Sequence, residues 1–282
     1  MGSAERVRWA RGSEGIELLE AAFDTFTYDR HTHDTYAIGV TLHGVQRFSC
    51  RNATHDSTPG HVMVINPGEA HDGRSGTAGG YMYRMFYVRP DILGAALEDV
   101  ARRPSDVGAR CPVFPDRDLF CQLDLAWRTM ATAPASLAAD ELLHRSLGLL
   151  GARVVQPARR ASATGDDRVL RCVRDYLQDH VEQDVTLHEL SAVAGMSRFQ
   201  LTRRFQDAYG LPLHAYHLHA RLEEGRRRLA SGQTIAAVSA DLGFVDQSHF
   251  HRRFKGSFGM TPGAWRAAHG HRTRRGSSSL SK

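Results

Sequence analysis

Long apolar runs are missing from this 282-residue sequence: none approaches the roughly 18 consecutive apolar residues of a membrane span, so no membrane partner is expected. Cysteine is scarce. The four residues Cys50, Cys111, Cys121 and Cys172 form no Cys-x-x-Cys pair and no zinc-ribbon spacing. The first residues, through Gly15, hold no apolar segment of the kind a secretion signal needs, so the thiols are expected to be reduced in a cytoplasmic protein. Apolar residues at 41% and charged residues at 24% are ordinary globular values, which excludes collagen-like and wholly disordered chains. At about 150 residues per domain, the length allows about two domains, each burying its own core.

What is present is an uneven distribution of charge. Residues 166–282 hold 18 Lys+Arg and 12 Asp+Glu, net +6, while residues 1–165 hold 18 and 19, net −1, which together give the +5 of the whole chain. The positive excess lies where a polyanionic partner would be met.

Three segments follow one another along the chain. From about residue 16 to 90, short apolar runs such as Tyr36–Leu42, Gln46–Cys50, His61–Ile65 and Tyr81–Val88 are broken by Gly44, Pro59 with Gly60, and Pro67 with Gly68. This pattern predicts an antiparallel sheet or barrel. From Asp116 to about Val155 the period becomes helical, with Leu119, Leu123 and Trp127 on one stripe and Leu142, Leu143, Leu147 and Leu150 on another. The second stripe fits either a partner helix or the chain's own barrel. Residues 156–165 have linker composition, and residues 166–268 read as almost all helix.

The helical part is clearly punctuated. Thr186 and Glu189 form a capping box, a helix stops at Gly195, and Ser197 caps a second helix from Arg198 to about Tyr209. In that helix Leu201, Phe205 and Ala208 are expected to face the core, leaving Phe199, Gln200, Thr202, Arg203 and Gln206 outside. The arrangement returns about 49 residues later. Thr234 caps a helix with Ile235, Val238 and Leu242, Gly243 ends it, and Asp246 caps a helix whose buried stripe is Phe250, Phe254 and Phe258. Its outer face carries Gln247, Ser248, His249, Arg252 and Arg253. Each half is a helix, a glycine turn and a helix with a polar face, the helix-turn-helix pattern. A helix with Leu218, Leu222, Gly225 and Leu229 at core spacing joins them, and Thr261 with Pro262 opens a last helix.

Gly210, Arg221 with Leu222, Gly243 with Phe244, Asp246, Ser248, Phe250, Arg252, Phe254 with Lys255, and Gly259, Thr261 and Pro262 together resemble the signature of the arabinose-regulator (AraC/XylS) family of bacterial transcription factors. The resemblance covers about 100 residues. It implies two helix-turn-helix units whose recognition helices enter successive major-groove segments, about 34 Å apart along the duplex. Carried over residue by residue, it points to Phe199, Thr202 and Arg203 in the first unit, and to Gln247, Ser248, His249 and Arg252 in the second, as base readers. Gln200 belongs to the same expected DNA face, and Arg198, Arg204 and Arg253 are expected on phosphates. Two departures, Gly225 in the linking helix and Ser239 in the second unit, stand where the family has small apolar residues and suggest a slightly softer second half.

In the N-terminal part, His31, His33, Asp34 and Tyr36, and then Gly60 through Asp72 with Pro67, Gly68, Glu69 and His71, resemble the two motifs of the cupin barrel as it occurs in the sensing domain of these regulators. Such a barrel holds one small ligand. The imidazoles of His31, His33 and His71 fit three uses: a divalent metal site, polar lining for an effector together with Tyr36, or satisfaction of buried backbone groups and a place at the rim. Enzymatic cupins add a Glu after the His-x-His pair, and here those places hold Ala37 and Ile38. Arg47, Tyr83 and Arg84 are further lining candidates, although strand alternation forbids Tyr83 and Arg84 from both pointing inward.

The expected architecture is therefore a multi-domain β plus all-α chain. A cupin-like effector-binding barrel occupies residues 1–112 and a helical hairpin with a dimerisation role 113–156. A linker at 157–166, a double helix-turn-helix domain at 167–269 and a disordered basic tail at 270–282 complete it. The expected function is that of a non-enzymatic, sequence-specific transcriptional regulator with promoter DNA, a small-molecule effector, a second copy of itself and RNA polymerase as partners. It would work in the cytoplasm at the nucleoid, without an obligatory cofactor. A barrel that only dimerises, and a metal-dependent cupin enzyme fused to a DNA-binding module, are the competing readings.

Overall fold

The computed structural model describes residues 5–101, 107–134, 136–157 and 165–269. The chain divides into two compact units, Met1–Thr164 and Gly165–Lys282. Among the described residues no helix is long and apolar enough to cross a membrane.

The first unit is built from strands β1 (Arg6–Arg11), β2 (Ile16–Phe23), β3 (Tyr28–His31), β4 (Tyr36–Gly44), β5 (Gln46–Cys50), β6 (Ala53–Ser57), β7 (His61–Ile65), β8 (His71–Ser75) and β9 (Tyr81–Val88). Helix α1 (Pro90–Ala101), strands β10 (Val107–Ala109) and β11 (Val113–Pro115), helices α2 (Arg117–Thr132) and α3 (Leu137–Val154), and strand β12 (Val155–Pro157) follow. A six-stranded sheet in the order β1-β2-β9-β4-β7-β11 faces a four-stranded sheet in the order β3-β8-β5-β6, with antiparallel pairing. Two buried hydroxyl bonds cross between the sheets. Thr41 Oγ1 donates to Ser57 Oγ at 2.8 Å, and Tyr83 Oη donates to Tyr28 Oη at 2.9 Å.

Strand alternation sorts β4 and β9 into two faces. Tyr36, Ile38, Val40, Phe86 and Val88 point outward into a core shared with Leu119, Leu123 and Trp127 of α2 and with Leu143, Leu147 and Leu150 of α3. The other face, with Ala37, Met63, Tyr83, Met85 and Tyr87, lines the interior between the sheets. The helical layer explains why β4 is buried along both faces from Tyr36 to Thr41. It also settles the leucine stripe of α3. Leu143, Leu147 and Leu150 are at most 4% exposed, Leu142 packs at their edge, and the stripe is core instead of a surface for a second copy. The hairpin is thus no separate module, and α1 is a helix the sequence pattern did not announce.

The predicted linker begins later than its composition suggested. Gln156 and Pro157 pair with Gly108 and Val107, so β12 belongs to the first unit. Residues 158–164 of that linker, and the basic tail from residue 270, lie outside the described residues, and Gly165 already opens a helix.

The second unit contains α4 (Gly165–Asp179), α5 (Leu187–Ala194), α6 (Arg198–Tyr209), α7 (Leu213–Ala230), α8 (Ile235–Asp241), α9 (Gln247–Phe258) and α10 (Pro262–His269). Its caps are those the sequence implies. Thr186 with Glu189 and Ser197 with Gln200 form complete capping boxes, while Thr234 and Asp246 accept the amides of Ala237 and His249. Leu201, Phe205, Phe250 and Phe254 are fully buried. Ala208, expected inside, is exposed. The stripe of α6 continues instead at i+4 to Tyr209, whose ring packs on Phe205 and Tyr216 at centroid distances of 4.5 and 5.7 Å. Leu218 is only half-buried, and the aromatic face of Tyr216 takes its share of the core.

Helix α7 packs against α4, α6, α8, α9 and α10. Two of its residues hold the second helix-turn-helix unit. At Gly225 the Phe250 ring lies so close that an added Cβ would meet ring carbons at 3.1 and 3.2 Å. The glycine therefore makes room for Phe250, and the supposed soft spot is a tight contact. Arg221 lies against Gly243, which has φ of 69°, and donates to the carbonyl of Gln183 at 2.7 Å and to Asp184 at 3.0 Å. A side chain at residue 243 would be strained in this left-handed turn and would crowd the guanidinium.

Two outcomes follow from this packing. Leu147→Ala removes a fully buried side chain and should lower the unfolding free energy by about 2–5 kcal/mol in urea titrations. That loss should be the same at all protein concentrations, whereas a residue at a self-association interface would give a concentration-dependent one. His217 of α7 is buried, and its ring Nε2 donates to the carbonyl of His180 at 3.0 Å. Burial, and secondarily the Arg221 charge, hold its pKa below the ordinary histidine value, against the raising effect of the hydrogen bond. The unfolded chain therefore takes up the proton first, and the His217 contribution to stability, complete above about pH 6.5, is lost as pH falls below it. His217→Gln should flatten the acid side of the stability profile between about pH 7 and 5.

Candidate functional site

The outer faces of α6 and α9 are presented by burial of their inner faces. Leu201 and Phe205 anchor α6, and Phe250 and Phe254 anchor α9, each with no exposed surface. On the opposite side of α6, Phe199 is 77% exposed, an unusual state for a phenylalanine that has no intramolecular reason to face water. Arg203 is exposed beside Asp207, with a loose contact of 3.9 Å. On α9, Gln247, Ser248, Arg252 and Arg253 are exposed. Arg198 lies at the first turn of α6 with its guanidinium 3.4 Å from His188 Nδ1, and Arg204 contacts the Met196 sulfur at 3.9 Å.

Three of the expected DNA-facing residues are partly engaged within the fold. Gln200 turns its Oε1 back onto the amide and hydroxyl of Ser197. Thr202 is half-buried and donates its hydroxyl to the Arg198 carbonyl at 2.9 Å. His249 packs edge-on to Phe244 at 5.5 Å and is half-buried. Caps and turns recruit side chains of these types, so a position on the outer helical face is not sufficient for access. Val245, 88% exposed just before the Asp246 cap, and His251 also belong to the exposed side of the second unit. Only the extreme exposure of Val245 reveals it, since one valine in a turn carries no sequence signal.

In the first unit the structure brings His31, His33 and His71 together. His31 ends β3 and pairs directly with His71 at the start of β8. His33 follows in the β3–β4 connection, where its carbonyl accepts the Gly68 amide at 2.9 Å and ties that loop to the Pro67–Gly68 turn. Ring centroids are 4.4 Å apart for His31 and His71 and 4.8 Å for His33 and His71. One ligand nitrogen of each ring lies within 4.8 Å of the others. The Nδ1 atoms are engaged by the backbone. They meet the carbonyls of Asp29 at 2.7 Å, Thr35 at 3.0 Å and Glu69 at 2.9 Å. A carbonyl only accepts, so each Nδ1 carries a proton.

Around this cluster the interior is nearly full. Tyr28, Phe48, Met63, Tyr83, Met85 and Tyr87 leave about 30 Å³ beside His31 and His71. That space holds about two waters, against the hundreds of Å³ of an organic ligand site. Burial, supported by neighbouring tyrosines, pushes the Tyr28 and Tyr83 hydroxyls far above their usual range, so both remain protonated. Burial and the Glu69 charge raise the Cys50 thiol to about 11 and leave it unreactive.

The remaining lining candidates are elsewhere. Tyr36 faces the helical layer, because it shares its strand face with Ile38 and Val40. Arg84 also points outward: it pairs with Glu20 at 2.6 Å and with Asp124, and lies over the Trp127 ring at 4.5 Å. Arg47 is on the surface in a two-pronged pair with Asp56 at 2.6 Å. Of Tyr83 and Arg84, which alternation barred from both facing inward, Tyr83 is the inward member. Gln46 and Phe48, interior residues missed in the sequence, take the inward positions flanking Arg47.

Comparison with known proteins matches both units. Residues 14–147 match the family described as AraC-like ligand binding domain, and residues 190–268 the family described as helix-turn-helix domain. The probable transcriptional regulator LumQ of Photobacterium leiognathi is 31% identical over 252 residues, which cover 88% of this chain and 97% of LumQ. The HTH-type transcriptional regulator YbfI of Bacillus subtilis is 25% identical over 232 residues, 79% of this chain and 81% of that one. Among solved structures, ToxT from Vibrio cholerae aligns over 92% of this chain and all of its own with a TM-score of 0.64, a likeness of fold at 10% identity.

Proposed function

Because the chain belongs to the AraC family of transcriptional regulators, we propose that α6 and α9 read promoter DNA in adjacent major-groove segments while the barrel acts as the sensor that governs that binding. The protein is a DNA-binding regulator with a ligand-binding domain. The observation that carries the finer reading is the pair of helices buried through Leu201, Phe205, Phe250 and Phe254, whose outer faces display Phe199, Arg203, Gln247, Ser248 and Arg252.

Each of these side chains suits a base edge. Arg203 and Arg252 match the O6 and N7 acceptors of guanine, Gln247 matches adenine, and Phe199 offers an apolar face to a thymine methyl. Ser248 can serve either a base or a phosphate. The weak Arg203–Asp207 contact, between two largely exposed groups, offers little resistance to replacement by DNA. Arg198, Arg204 and Arg253 are assigned to phosphates, which position the protein without reading sequence. Gln200, Thr202 and His249 are assigned to supporting these contacts through the caps and packing they already make.

The barrel is read as a sensor and not as a catalyst. Where enzymatic cupins place a Glu, Ala37 faces the interior and Ile38 faces the helices. Glu69 is held by Arg51 at 2.6 Å and by the Asn66 amide at 3.0 Å. A ligand that binds one arrangement of the protein better than another would shift DNA affinity by that difference. Self-association into a homodimer, contact with RNA polymerase at the promoter and residence at the nucleoid in the cytoplasm belong to the same reading and are supported by family membership.

Arg203→Ala or Arg252→Ala should cost about 1–3 kcal/mol on a site selected from random duplexes and relax preference at one base position. Arg253→Ala should weaken all sequences alike and reduce the slope of log affinity against log salt by about one. Mobility-shift titrations at several salt concentrations separate the two classes, and identical behaviour of all three variants would contradict the assignment.

A further inference from the structure

We propose that the second unit carries a small-molecule site of its own, a cavity between α4, α5, α6 and α7 that takes an uncharged, largely apolar molecule bearing one hydroxyl group, an alcohol or a phenol. The site is separate from the barrel, and only its effect on DNA binding rests on the regulator reading.

The cavity measures about 370 Å³, a size that organic ligands occupy, whereas the barrel interior leaves about 30 Å³. Its walls are mainly apolar. Leu177 of α4, Leu190 of α5, and Leu213 and Leu218 of α7 contribute to them, and Leu187, 39% exposed, carries the apolar lining out to solvent.

Two polar groups in the lining have unmet hydrogen bonds. His217 is only 8% exposed, and its Nε2 donates to the His180 carbonyl at 3.0 Å. The neutral ring therefore keeps a lone pair on Nδ1, and among the described residues nothing donates to it. Burial above all, with the Arg221 charge, holds the ring below the ordinary histidine pKa and so neutral near pH 7, against the raising effect of the His180 bond. Arg221 follows at i+4 on the same face of α7. Its Nη2 is taken by the Gln183 carbonyl and Asp184, but its Nε is buried without a partner among the described residues.

A hydroxyl group answers both needs at once, since its oxygen accepts from Nε and its proton goes to Nδ1. A carboxylate has no proton for Nδ1, and an ammonium group would face the guanidinium. The Arg221 charge is already paired with Asp184 at 3.0 Å, so the lining does not call for an ionised ligand. A surface awaiting another protein would keep its polar groups at the rim, whereas here they are buried.

The cavity also touches the parts that set the DNA-reading geometry. Thr202 of α6 lines it, and Arg221 lies from it against Gly243, at the end of α8. A molecule held there bears on both helix-turn-helix units, and its binding is coupled to theirs.

The test is calorimetric titration of the full chain near neutral pH with propylphenol, with propylbenzene, which lacks the hydroxyl, and with propylbenzoate, which is charged. Leu187→Trp fills the cavity from an exposed position, with Leu218→Phe as a second variant should the first misfold. Val193→Trp, on the same helix but outside the lining, is the control. His217→Phe keeps a ring and removes the acceptor. The proposal expects one propylphenol per chain, bound about tenfold or more tighter than either comparator, the scale of one net hydrogen bond. Binding should weaken at least about tenfold in Leu187→Trp or Leu218→Phe and persist in Val193→Trp, and His217→Phe should bind propylphenol and propylbenzene alike. Saturating propylphenol should change the affinity of the wild type, and not of the filled variants, for a duplex selected from a random pool by about threefold or more. Absence of saturable binding, or equal binding by the filled variants, overturns the site. Equal or tighter binding of propylbenzene or propylbenzoate overturns the ligand class. An unchanged DNA affinity in the loaded wild type overturns the coupling. Salt-dependent DNA binding by the ligand-free protein tests the regulator reading separately, so failure of the cavity leaves that reading standing.

Discussion

The contacts that helix α7 makes with both helix-turn-helix units are the constraint on which the DNA-binding domain depends. Two short helix pairs of this size cannot each bury a core alone. Here they share one, since α7 touches α6 of the first helix-turn-helix pair and the neighbouring α4, and α8 and α9 of the second pair. The Phe250 ring seated on Gly225, and the Arg221 guanidinium reaching from Gly243 to Gln183 and Asp184, turn that shared core into a fixed linkage. The residues that make α7 a good spacer are therefore not those proposed to touch DNA. Residues such as Gly225 and Gly243 specify geometry by what they leave out.

The barrel is governed by a different constraint, the covering of its larger sheet on both faces. Because α2 and α3 pack on the outer face, the strands cannot show the simple alternation of a half-exposed sheet, and polar residues on that side need partners of their own. Arg84 finds them in Glu20 and Asp124, with Trp127 beneath it. Such an arrangement is structural cement between sheet and helix, in which removal of one member strands the others. The inner face is filled by aromatic and sulfur-containing side chains, and the histidine cluster lies at its edge with its hydrogen bonding already decided by the backbone.

Much of this was legible in the sequence, and the exceptions have physical causes. Capping residues act within three or four positions of themselves, so Thr186, Ser197, Thr234 and Asp246 could be read directly. The pairing of His31, His33 and His71 was legible only through the resemblance to a barrel motif, because no local rule brings residues 33 and 71 together. Period-two alternation showed that Tyr83 and Arg84 lie on opposite faces, but not which face was inside. Tyr36 went astray for that reason: a tyrosine between apolar neighbours fits either side, and only the helical layer decides. The leucines of α3 carried the same ambiguity between core and partner surface. Ala208 yielded to Tyr209 because an i+4 aromatic contact offers more buried area than an i+7 methyl.

The central claim is that one rigid rod sets the distance between two DNA-reading helices. It is tested most directly by measuring affinity for a selected duplex after inserting base pairs between its two half-sites. A fixed spacer predicts that binding is lost on insertion of about 5 base pairs and is not recovered at about 10, when the helical phase returns but the distance has grown by a full turn of about 34 Å. Recovery of full affinity at one turn would contradict the account, since it would require the two units to move apart and α7 to give up its hold on one of them.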